Sequence, residues 1–101
     1  MVSAADTLCM QVNLYVSARN LVDRDVFSKS DPKCVLYEKT ANGSWHKLGK
    51  TEEISNNLNP DWRTGFELKY FFEKRQELRF KVVDEDGDDD QSLGELVTTL
   101  G

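Results

Sequence analysis

The chain predicts an all-β fold, an antiparallel β-sandwich, on three observations. Apolar residues recur with a period of two in several short stretches, turn-forming residues separate those stretches, and no segment carries the periodicity of an amphipathic helix. Residues 8–17 show the pattern first. Leu8, Met10, Val12, Leu14 and Val16 fall on one face, and Cys9, Gln11, Asn13, Tyr15 and Ser17 on the other, as in a strand buried on one side. A long loop over residues 20–31 closes at Pro32, and Cys34 to Tyr37 forms the second strand. Asn42 and Gly43 make a turn signal, so residues 44–51 should return as the antiparallel partner of that strand. Asn56 to Pro60 is another turn, followed by a strand from Phe66 to Tyr70. Residues 77–83 and 93–100 supply the last two strands, and residues 71–77 hold at most a short helical turn.

The 101 residues, 39% hydrophobic and 31% charged, describe one small globular domain or part of one, with a tail over residues 1–7 and the domain over residues 8–101. The net charge of −5 is concentrated. Six acids, Asp84, Glu85, Asp86, Asp88, Asp89 and Asp90, account for more than all of it, leaving a nearly neutral body with one negative end. A nucleic-acid binder would need a basic stripe, so that class is excluded. Cys9 and Cys34 lie inside apolar stretches and read as free thiols, and their isolation from other ligands excludes a zinc finger. No stretch approaches the ~20 apolar residues of a membrane span. The start lacks a hydrophobic signal core and a glycine for myristoylation, which makes an intracellular, soluble protein the expectation.

The acidic run follows the alternation of Leu78, Phe80 and Val82, and a second pair, Asp25 and Asp31, stands before the strand at Cys34. Carboxylates gathered on loops at strand ends repel one another unless a positive charge lies between them. A hard divalent cation, above all calcium, fits, because it accepts six to eight oxygen ligands from flexible loops. A solvated acidic loop would explain one run but not two. An EF-hand fails because its sixth loop position must be glycine and here is Asp89, and because a strand pattern stands where a helix is required. His46 has no second histidine and no placed nucleophile, so no catalytic machinery or small-molecule substrate is visible.

Four blocks in order, Ser30-Asp31-Pro32, Asn57 to Trp62, Val83-Asp84-Glu85-Asp86 and Leu93-Gly94-Glu95, resemble a calcium- and phospholipid-binding C2 domain. The run from Asn20 to Pro32, with Asn56 to Pro60, is similar more specifically to the first C2 domain of the copines. The resemblance covers residues 8–101. It implies metal ligands at Asp25, Asp31, Asp84 and Asp86, with backbone carbonyls of Arg24 and Glu85 as further donors. The fifth ligand of the family falls on Gln91, a departure from its pattern, and Asp90 is the choice in its place, with Asp89 a further candidate. It implies a module recruited from the cytoplasm to an anionic phospholipid membrane, most simply the plasma membrane, when calcium rises. Val26 and Phe27 at the tip of the first loop would meet the headgroups, and Lys29 would add attraction. The other reading is a protein-interaction module of the same fold that makes no membrane contact. The resemblance also implies a parent with a second C2 domain and a von Willebrand A-type domain. It places the chain in the second of the family's two circularly related topologies, with the last two of eight strands beyond Gly101.

Overall fold

The computed structural model describes residues 9–21, 31–71, 75–84 and 91–100. Its strands are β1 Cys9–Leu14, β2 Pro32–Lys39, β3 Trp45–Lys50, β4 Phe66–Phe71, β5 Gln76–Asp84 and β6 Gln91–Leu100. They form two antiparallel sheets, one of β1 and β4, the other in the order β3-β2-β5-β6. The expected β-sandwich is therefore present, with every expected strand, and the hairpin return of β3 onto β2 holds from Val35–Lys50 to Lys39–Trp45.

The alternation read from the sequence explains the core. Leu14, Phe66 and Leu68 from the smaller sheet meet Cys34, Leu36, Leu78 and Phe80 from the larger, with Trp62 between them. Leu36 is 0% and Leu78 1% exposed, and each such side chain contributes about 1.5–3 kcal/mol relative to exposure. Phe66 meets Phe80 edge to face at 6.2 Å. Neither cysteine takes part in a disulfide. Burial pushes the Cys34 thiol up to about 12, so it behaves as a small apolar side chain.

Three elements differ from expectation for local reasons. β1 stops at Leu14 and not at Ser17, because the chain beyond it turns to bond with the segment around Pro60. Ser17 keeps only an isolated bridge to Asp61. Met10 lies on the apolar face of β1 but at its open end, where it is 49% exposed. β2 starts at Pro32, since the first strand position needs no donor there. The helical turn allowed over residues 71–77 falls mainly on residues 72–74, outside the described residues.

β6 begins two residues earlier than expected because its register shifts. Val82 faces Gly94 while Val83 faces Ser92, so Leu93 is an extra residue on that strand. Gly94 has φ +156°, a conformation that residues with a Cβ rarely adopt. The β4–β5 connection is held by Gln76, buried at 7% exposure. Its Oε1 accepts from the Phe71 amide at 2.9 Å, and its Nε2 donates to the Lys69 carbonyl at 2.8 Å and to Glu38 Oε2 at 3.0 Å. Buried polar atoms need such partners.

Candidate metal and membrane site

Antiparallel pairing of β2 with β5 sets Pro32 opposite Asp84. The chain thus enters β2 from residues 22–30 and leaves β5 into residues 85–90 at one end of the sandwich. The two acidic stretches are joined to the fold side by side, although 53 residues separate Asp31 from Asp84.

Asp84 falls on the core-facing parity of β5, after Leu78, Phe80 and Val82, and is only 1% exposed. A carboxylate there is tolerated only with donors or positive charge nearby. The Asp31 amide donates to its Oδ1 at 3.3 Å. Asp31 in turn accepts from the Asn56 amide on its own Oδ1 at 2.7 Å. Two of the expected ligands are therefore brought together. The expected ligands Asp25, Asp86 and Asp90, the alternative Asp89, the carbonyls of Arg24 and Glu85, and the membrane-contact residues Val26, Phe27 and Lys29 all lie outside the described residues. Gln91 opens β6 directly opposite Asp84. Among the described residues no group of three or more His, Cys, Asp or Glu gathers as a metal centre. The Asp31–Asp84 pair fits two oxygen donors of a calcium site, whose remaining ligands would come from the two acidic stretches.

The segment 51–62, in which the sequence marks a turn at Asn56 to Pro60, underlies this end. Thr51 extends the pairing of β2: its amide donates to the Cys34 carbonyl at 2.8 Å and its hydroxyl accepts from the Cys34 amide at 2.8 Å. The Pro32 carbonyl accepts from the Ile54 amide at 3.1 Å and from Trp62 Nε1 at 3.2 Å. The signal that would have found this role is the density of asparagine in residues 56–59, since asparagine tolerates the left-handed backbone seen at Asn56, φ 52°.

Glu52 fixes the far side of the same segment. Its carboxylate accepts from the Arg63 amide at 2.7 Å and the Thr64 amide at 3.1 Å. These bonds, that from Arg63 foremost, hold its pKa down to about 2 from an ordinary 4.5. A carboxyl whose folded value is depressed contributes stability that is complete above the unfolded value. That contribution fades as pH falls from 4.5 towards 2. Over that window the denaturation midpoint of the protein should fall more steeply than that of Glu52→Gln; parallel curves would show that the amide contacts do not favour the ionised form.

The family model described as "C2 domain" matches residues 10–101. The chain belongs to the C2 domain family. This C2 domain is similar to Nicotinic receptor-associated protein 1 of Caenorhabditis elegans, at 45% identity over 74% of the chain and 14% of that protein. It is similar to Copine-A of Dictyostelium discoideum, at 39% identity over 89% of the chain and 15% of that protein. The expected copine resemblance is thereby met, and the chain spans about one-seventh of the length of these relatives. Among solved structures it resembles human GIVD cytosolic phospholipase A2, with TM-score 0.76 and 26% identity, over 92% of the chain and 12% of that enzyme. The likeness to the phospholipase is thus confined to a small share of it. No helix among the described residues is long and apolar enough to cross a membrane.

Proposed function

We propose that this C2 domain is a calcium-dependent attachment module for anionic phospholipid membranes, not an enzyme. The observation that carries the reading is the approach of Asp31 to Asp84 where both acidic stretches join the sandwich. Asp31 and Asp84, with Asp25, Asp86 and Asp90, would hold calcium. Bound there, the ion supplies positive charge and open coordination positions for headgroup oxygens. The chain's own part would be to collect the carboxylates at one end, with Val26, Phe27 and Lys29, in the stretch that leads to Asp31, available to the headgroups. Attachment then follows charge. A strongly negative end is repelled by an anionic leaflet, and neutralising it reverses that repulsion with no change of fold. In this reading residues 8–101 serve as a targeting module of a copine-like protein, cytoplasmic at rest and drawn to the plasma membrane as calcium rises.

Sedimentation with phosphatidylserine-containing vesicles tests the proposal. The protein should pellet with vesicles in calcium, stay in the supernatant with chelator, and release as salt is raised. Phe27→Glu should reduce pelleting while leaving calcium affinity, measured by calorimetry, nearly unchanged. Equal pelleting with and without calcium, or none in either, would refute the membrane reading.

A further inference from the structure

Residues 54–62 bond both to residues 18–21 and to residues 31–32. On one side the Ala18 amide donates to the Pro60 carbonyl at 3.0 Å and the Leu21 amide to the Leu58 carbonyl at 2.9 Å. The Asn20 amide donates to Asn59 Oδ1 at 2.8 Å, and Arg19 pairs with Asp61 at 2.8 Å. On the other side the Ile54 amide bonds Pro32 and the Asn56 amide bonds Asp31 Oδ1 at 2.7 Å. The Asp31 amide then donates to Asp84. The connected order runs from Asn56 to Asp31 to Asp84, and Asn56 is the member whose backbone needs the left-handed conformation, φ 52°.

We infer that Asn56 is a positioning residue for the proposed metal site: its amide fixes the Asp31 carboxylate, next to the backbone amide that Asp31 gives to the buried Asp84, before any ion arrives. This rests on the calcium reading above and names a member of the site that supplies no ligand atom to the ion. The physical reason is preorganisation. Two neighbouring carboxylates left to themselves would separate, and restraining them on binding would cost conformational entropy. With one oxygen of Asp31 engaged by Asn56, the carboxylate has a defined orientation before an ion binds. Any residue but proline carries an amide, so the identity of residue 56 matters through its φ. Glycine and asparagine adopt positive φ readily, whereas a β-branched residue resists it.

The test compares Asn56→Gly and Asn56→Val with wild type. Calcium affinity by calorimetry should stay within about twofold in Asn56→Gly and fall about tenfold in Asn56→Val, the factor that a strained left-handed residue implies. A second readout needs no metal: in calcium-free protein, hydrogen exchange at the residue 56 amide should be slow in wild type and Asn56→Gly, and fast in Asn56→Val and Asp31→Ala. A merely structural role would lower the denaturation midpoint of Asn56→Val while leaving its calcium affinity, measured well below that midpoint, like that of wild type. If Asn56→Val binds calcium like wild type while Asp31→Ala and Asp84→Asn do not, the positioning inference is wrong and the site stands. If wild type does not bind calcium, or if Asp31→Ala and Asp84→Asn bind it as wild type does, the site reading fails and the inference with it.

Discussion

Asp84→Asn should remove most of the calcium response of this domain while leaving the calcium-free protein at least as stable. Asparagine keeps an acceptor for the Asp31 amide. In the proposed reading Asp84 stands among other carboxylates, so removing its charge relieves their repulsion when calcium is absent and removes a ligand when calcium binds. Affinity should drop by more than about tenfold, since even outer partners of a metal site cost 10–100-fold when removed. Ligand bound at 100 times its Kd stabilises the folded state by about 2.7 kcal/mol. For a domain of this size that is a rise in melting temperature on the order of 10 °C. Wild type should show that rise and Asp84→Asn should not, while Asp88→Asn should keep it. A variant that melts early without calcium yet gains as much from it as wild type would show Asp84 to be structural only.

Trp62→Ala should be the most damaging substitution in the core. The ring is 4% exposed and lies within the cluster of Cys34, Leu36, Phe66 and Leu78, so truncation opens a cavity costing roughly 3–5 kcal/mol. It also deletes the Nε1 bond to the Pro32 carbonyl at 3.2 Å; that carbonyl keeps its bond from the Ile54 amide, so the further cost is about 0.5–1.5 kcal/mol. Against a total stability of about 5–15 kcal/mol for a domain, much of the protein should be unfolded at room temperature. Trp62→Phe should recover part of the loss by refilling the space but not the bond. Denaturant midpoints give the ranking, and a loss below about 1 kcal/mol in Trp62→Ala would contradict this account of the core.

The strands were legible because burial on one face imposes a period of two, and Leu78, Phe80 and Val82 show it plainly. The same parity carries on to Asp84, which is why a carboxylate is drawn into the end of the core. The approach of Asp31 to Asp84 was also legible, since the strands that bear them pair antiparallel. The role of residues 54–62 was not. Many of its contacts join backbone amides to backbone carbonyls far away in sequence, Ala18 to Pro60, Leu21 to Leu58 and Ile54 to Pro32 among them, and such bonds leave no periodic trace in side-chain types. The displaced register of β6 was hidden for a similar reason: Leu93 is as apolar as a regular strand residue, and only Gly94 marks the irregularity.

That one-residue offset changes how side chains are counted along β6. Below it, Leu78 faces Thr98 and Phe80 faces Leu96, and above it Val83 faces Ser92. In an uninterrupted strand Ser92 and Gly94, two apart, would share one face of the sheet. Here they stand opposite the adjacent residues Val83 and Val82, and so belong to opposite faces. The extra position at Leu93 thus exchanges the two faces once along the strand, and a pattern of alternation read back from Leu100 is reversed before it reaches the end that carries Asp84.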